Sequence, residues 1–175
     1  MKYSLFCAGI GLATTFTLIQ PSAEAAFRRV SATECVADES PATITARYNP
    51  TLGFWSTSSP GTGVICPLNN SEALPNADIV ANGIKVYVRD DRFGTSGADN
   101  DFTVKACRSN YLVASSCGTA ASTAYDPGDV TLLPDPTAVK ITGDRQWAYL
   151  YVDLPQNGNV GGEFSWFTGY RVDYP

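Results

Sequence analysis

Several stretches of this chain alternate apolar and polar side chains with a period of two, the mark of strands that bury one face. Ile84-Lys85-Val86-Tyr87-Val88-Arg89 places Ile84, Val86 and Val88 together, and Phe102-Thr103-Val104-Lys105-Ala106 repeats the pattern. Trp147-Ala148-Tyr149-Leu150-Tyr151-Val152 is apolar on both faces, which predicts a central strand covered on both sides. From Phe164 to Tyr174, strict alternation puts Phe164, Trp166, Tyr170, Val172 and Tyr174 on one face, with Ser165, Arg171 and Asp173 opposite. Shorter candidates run over 28–36, 42–48, 63–67, 111–114, 120–125 and 130–133.

Between these runs lie residues with a physical reason to turn. Asn49-Pro50, Ser59-Pro60-Gly61, Asp126-Pro127-Gly128, Pro134-Asp135-Pro136 and Asn157-Gly158-Asn159 combine fixed φ, tolerated positive φ and local side-chain hydrogen bonds. No apolar run at helical spacing is long enough for an independent helix; residues 71–77 offer one turn, limited by Pro75. Many short strands separated by Gly/Pro turns predict an all-β protein. The expected fold is an antiparallel two-layer β-sandwich of about eight strands, jelly-roll-like.

The N-terminus carries a different pattern. Met1-Lys2-Tyr3 is a short cationic start, Ser4 to Ile19 is apolar and uncharged, and Ala23-Glu24-Ala25 forms an A-x-A cleavage site. This reads as an export signal over residues 1–25, removed to leave a single domain at 26–175. The apolar stretch is shorter than the ~20 residues that span a bilayer, and no second such run follows. The expected location is secreted or periplasmic. Cys7 leaves with the signal, so Cys35, Cys66, Cys107 and Cys117 remain. An even count in an exported chain reads as two disulfides, and four cysteines allow three pairings. Cys35–Cys66 with Cys107–Cys117 is favoured, the second pair closing the short loop from Arg108 to Ser116. A zinc site has neither a C-x-x-C spacing nor a histidine to support it.

Charge and the absence of histidine narrow the chemistry. The chain has no histidine and a formal net charge of −5. A Ser-His-Asp or Cys-His centre is therefore impossible, and Lys85, Lys105 and Lys140 fall at the polar phase of strands or near a turn. No spacing singles out a facing carboxylate pair for glycoside hydrolysis, and 158–162 lacks a phosphate-binding G-x-G-x-x-G pattern. Arg28-Arg29 is the only adjacent basic pair, so nucleic acid is an unexpected partner. A membrane barrel would need lipid-facing apolar strands with a polar interior, which this Pro-rich, cysteine-paired pattern does not show.

Two constellations remain. The loop from Asp90 to Asp101 gathers Asp90, Asp91, Asp99, Asn100 and Asp101, oxygen donors of the kind calcium takes six to eight of. It lacks the EF-hand pattern, and its plainer reading is a loop of turn-forming residues. The other is aromatic. Trp147, Tyr149 and Tyr151 share one strand face, and such rings stack on apolar sugar faces while offering a polar handle. Cross-strand packing is the plainer reading here. Phe54-Trp55, between Gly53 and Ser56, reads as a loop that exposes a further aromatic anchor.

Taken in order, Val64-Ile65-Cys66-Pro67-Leu68, an alternating strand ending at Asp90, Phe102 to Cys107, Tyr149-Leu150-Tyr151-Val152-Asp153-Leu154-Pro155 and Gly169-Tyr170-Arg171-Val172 form a series. With it the chain resembles a group of small exported bacterial proteins, uncharacterised in function. The resemblance implies a β-sandwich in which an N-terminal cysteine bonds the cysteine of Cys-Pro-Leu. Members often carry a cysteine where this chain has Val152, as partner of the one at Cys107; here Cys117 takes its place. The resemblance implies no activity. The expected function is thus an exported, non-catalytic module that binds a surface protein or glycan. The alternatives are a carbohydrate-binding module, with or without calcium, and an enzyme without histidine.

Overall fold

The computed structural model of the protein describes residues 27–38, 46–56, 62–68, 79, 81–90, 101–110, 113–123, 128–139, 146–155 and 165–174. The signal read at 1–25, the turn at 71–77 and most of the acidic loop lie outside them. Twelve strands are described: β1 (Phe27–Ser31), β2 (Val36–Ala37), β3 (Ala46–Asn49), β4 (Gly53–Ser56), β5 (Thr62–Pro67), β6 (Ile84–Asp90), β7 (Thr103–Asn110), β8 (Val113–Cys117), β9 (Ala121–Ser122), β10 (Gly128–Leu132), β11 (Gln146–Leu154) and β12 (Trp166–Asp173). Single 3-10 turns occupy Ala32–Glu34 and Pro136–Val139.

All described pairings are antiparallel, and they build two sheets. The first runs β10-β6-β12-β4-β3, with β1 also on β12; the second runs β2-β5-β11-β7-β8, with β9 also on β7. Eight of the strands make a jelly roll: β10-β6-β12-β4 in one layer and β5-β11-β7-β8 in the other. The chain crosses between layers at each step from β4 to β7, stays in one layer for the β7–β8 hairpin, then alternates again from β10 to β12. The expected number of strands is thus that of the jelly roll itself. β2 and β3 are additions at its sheet edges, while β1 joins β12 beside β4 and β9 joins β7 beside β8.

The core is the apolar phase of both layers facing each other. Ile84, Val86, Val88, Phe167 and Val172 come from the first sheet; Val64, Cys66, Val104, Ala106, Leu150, Val152 and Leu154 come from the second. Burying such side chains is worth roughly 1.5–3 kcal/mol each before entropy is counted. Tyr170 lies among them, and its hydroxyl donates to the carbonyl of Pro67 in the opposite sheet. Tyr174 makes a parallel contact, its hydroxyl 3.4 Å from the Leu68 carbonyl. Both phenols thereby satisfy an otherwise buried polar group.

Two expectations need correcting. Strict alternation does not hold from 164 to 174, because β12 carries an irregularity between Phe167, opposite Val88, and Gly169, opposite Tyr87. The extra residue, Thr168, donates its hydroxyl to the Tyr87 carbonyl at 3.0 Å. A one-residue insertion reverses the facing of what precedes it. Trp166 consequently turns outward, while Ser165 and Phe167 are buried. The irregularity also divides one edge of β12 between β4, paired at Phe167, and β1, paired from Gly169 to Asp173. Glycine is needed at both junctions. A Cβ on Gly53 (φ 101°) would sit 1.9 Å from the Phe167 carbonyl oxygen, and one on Gly169 (φ 154°) 2.5 Å from that of Val30. The second correction concerns Phe54-Trp55. These residues form β4 rather than a loop, with Phe54 buried and Trp55 half-buried.

The disulfides are the favoured pair. Cys35–Cys66 ties the end of the first 3-10 turn to β5, where the chain passes from β1 in one sheet to β2 in the other. Cys107–Cys117 joins residues directly opposite in the β7–β8 hairpin.

Leu150 is fully buried in β11, between β5 and β7. Leu150→Ala is expected to cost about 2–5 kcal/mol, read from denaturant melts. The tyrosines give a pH prediction. Burial pushes the Tyr170 phenol well above its ordinary value of 10.0 and raises Tyr174 by the same cause. A raised folded pKa means the unfolded state ionises first, so stability is intact below pH ~10 and falls as pH climbs beyond it. Melting temperature should drop above that pH, with a shallower slope in Tyr170→Phe.

Candidate functional site

β11 places alternate side chains on opposite sides of the second sheet. Ala148, Leu150, Val152 and Leu154 point into the core; Trp147, Tyr149, Tyr151 and Asp153 point out. The strand is central, as expected, but only one of its faces is covered by the other sheet. Trp147 is 56% exposed on the outer side. Neighbours complete a surface around this row. Tyr149 lies between Pro67 of β5 and Cys107 of β7, Tyr151 between Ile65 and Lys105, and Ile65 is flanked in turn by Val36 of β2.

Together Val36, Ile65, Pro67, Trp147 and Tyr149 line a groove of about 550 Å³, with Glu34 and Ser109 as its polar margin. Beside Tyr149, outside the groove lining, Cys107 forms the Cys107–Cys117 disulfide and is itself buried. Glu34 accepts a 2.9 Å hydrogen bond from Arg28, which fixes its carboxylate at the margin. The Ser109 hydroxyl donates to the Trp147 carbonyl at 3.4 Å and steadies the strand under the indole.

Tyr151 extends the row beyond the groove. Its ring lies over Gly63, where a Cβ would stand 2.3 Å from the phenol oxygen. Glycine thus leaves a seat for the ring on β5. Burial, then the carboxylates of Asp153 and Asp38, raise the Tyr151 pKa. The phenol stays protonated at neutral pH and keeps an O–H able to donate.

This arrangement suits recognition more readily than bond-making. Flat apolar rings sit on a rigid strand, with hydroxyl and carboxylate groups near their edges. Among the described residues, Glu34 is the one carboxylate lining the groove, and no facing carboxylate pair is described there. Among the described residues, no three His, Cys, Asp or Glu side chains gather to hold a metal ion.

The aromatic residues expected to bind separate into two groups. Trp147 and Tyr149 line the groove and Tyr151 continues it, whereas Phe54 and Trp55 belong to β4 of the other sheet. The apolar floor supplied by Val36, Ile65 and Pro67 was missed. Its signal was present: Cys35 and Cys66 face the core, so period-two alternation turns Val36, Ile65 and Pro67 outward, onto one shared surface.

The calcium residues are placed in part. Asp91, Asp99 and Asn100 lie outside the described residues, and Asp101 is half-buried. Asp90 is buried and accepts hydrogen bonds from the hydroxyls of Thr123 (2.8 Å) and Ser165 (3.0 Å). Thr123 in turn accepts from the Phe102 amide at 3.2 Å. This chain of bonds joins the end of β6 to segments beside β7 and β12.

No family model, no curated protein and no solved structure matches this chain. No helix among the described residues is long and apolar enough to cross a membrane. The two disulfides are consistent with an oxidising, non-cytoplasmic location.

Asp90→Ala would leave two buried hydroxyls without their acceptor. It is expected to cost on the order of 1–3 kcal/mol, with the same loss in calcium and in magnesium at matched ionic strength. A calcium-selective rise in the native protein's melting temperature that Asp90→Ala abolishes would assign the carboxylate to an ion instead.

Proposed function

We propose that the protein is an exported, non-catalytic binding module whose ligand is a glycan held on the outer face of the second sheet. The observation that carries this reading is the exposure of Trp147, 56% accessible on a rigid central strand, beside Tyr149 in an apolar groove. A large indole left in water contributes little to folding, whereas contiguous exposed apolar surface with a polar rim marks interaction sites. Stacked sugar rings would lie on Trp147 and Tyr149, and their hydroxyls would meet Glu34, Ser109 and the two tyrosine phenols. The A-x-A pattern at 23–25 and the disulfides support export. The absence of histidine and the single carboxylate of the groove support a module that binds without catalysis.

A second reading keeps the groove and changes the occupant. Val36, 63% exposed on the edge strand β2, extends the apolar surface to the rim of the sheet. That extension suits a protein partner.

A glycan array with the purified protein, followed by titration calorimetry on the best ligand, tests the proposal. Trp147→Ala should change stability by less than ~0.5 kcal/mol, as exposed positions do, and weaken the glycan at least about tenfold, the loss typical of an anchoring aromatic. Absence of glycan binding, or equal affinity in Trp147→Ala, would overturn the glycan reading.

A further inference from the structure

The outer face of the first sheet, on the far side of the molecule from the groove, carries a pattern of its own. Register places Arg29 of β1, Arg171 of β12 and Lys85 of β6 directly opposite one another in a single row across three strands. Like charges directly opposite across strands are destabilising. The chain as a whole carries a net charge of −5, so a basic row is not a by-product of a basic composition.

The neutralisation of this row is incomplete. Asp173, the next outward residue of β12, is shared by Lys85, at 3.2 Å, and Arg171. Arg29 has no ion pair among the described residues. It lies 5.4 Å from the centre of the Phe27 ring, and Arg171 lies 4.2 Å from the same ring. Phe27 is itself 52% exposed. Further along the face, Arg89 stacks on Trp166 at 5.4 Å and meets the exposed Asp129 at 3.8 Å. The face therefore offers guanidinium forks and aromatic planes side by side.

We infer that this face is a second binding surface, for an acidic polysaccharide whose carboxylates meet the Arg29–Arg171–Lys85 row and whose rings lie along Phe27 and Trp166. Neighbouring strands are ~4.8 Å apart, so the three cations form a line ~10 Å long, a footprint for an extended chain rather than a single small anion. Arginine forks match carboxylates two bonds at a time. A polyphosphate fits less well. Asp173 and Asp129 already occupy part of the charge, and a polyanion of high charge density would be repelled by an acidic protein. A chain with sparse carboxylates takes the remaining cations without that penalty. This inference is independent of the glycan assigned to the groove.

Hyaluronate, a chain with one carboxylate per disaccharide, is the probe, titrated into the protein at low ionic strength by calorimetry. Binding is expected, weakening as salt rises. Arg29→Gln with Lys85→Gln should lower affinity at least about tenfold. Arg29→Gln alone disturbs no ion pair of the fold and should lower it severalfold with an unchanged melt. Arg47→Gln, which removes a cation from β3 at the edge of the sheet, should leave affinity as it was. Failure to bind hyaluronate would overturn the proposal. So would an equal loss in Arg47→Gln, or binding as tight to oligothymidylate or to phosphatidylglycerol vesicles.

Discussion

The register of β11 against β5 and β7 is the constraint from which the rest of the molecule follows. Leu150 lies opposite Cys66 and Ala106, and Val152 opposite Val64 and Val104. These pairs fill the second sheet's half of the core. The intervening residues, Trp147, Tyr149 and Tyr151, must then face water. A slip of one residue would bury a tryptophan and two tyrosines with their polar groups and expose the aliphatic set. The cost of that exchange fixes the register, and the register fixes the groove. Groove and core are thus two faces of one pairing decision. The Cys35–Cys66 bond reinforces it by holding β2 beside β5, which supplies Val36 to the groove floor.

Much of this order is readable from side-chain alternation. The strands around Ile84 and Phe102 behave as simple period-two patterns, because each lies in a sheet with one covered face. The strand at Trp147 does not. Its outward residues are apolar, so alternation alone describes a strand buried twice, and only the placement of the other sheet shows which face is left to solvent. Phe54-Trp55 failed for a related reason. Glycine and serine flank it as they would a loop, yet Gly53 serves there to admit β4 to within contact of the Phe167 carbonyl. The irregularity at Thr168 has no compositional mark. It is a consequence of two strands competing for one edge of β12, a tertiary cause that a local window does not contain. At the candidate site, the aromatic row was visible in the chain, while its floor depended on a cysteine pairing to bring β2 and β5 together.

The outer faces of the two sheets also differ in composition. The second presents aromatic rings with hydroxyls and a single carboxylate at the groove margin. The first presents cations interleaved with rings, in a protein whose overall charge is negative. Of the internal polar links, Tyr170 to Pro67 and Asp90 to Thr123 run between layers, Asp90 to Ser165 lies within the first sheet, and all leave both outer faces undisturbed. Polar groups inside the sandwich therefore serve cohesion.

The central position of β12 has a consequence for how the chain is made. β12 joins β6 to β4 and β1, so the first sheet has no middle until residues 166–173 have left the ribosome. Until then β1 and β4 wait with unpaired edges, and the aliphatic faces of β5, β7 and β11 lack the central strand of the layer they close against. Contacts spanning most of the sequence are slow to form. The nascent chain should therefore remain open until β12 has been made. A polypeptide that stays threadable for that long can be handed to a narrow conduit before it becomes too bulky to pass.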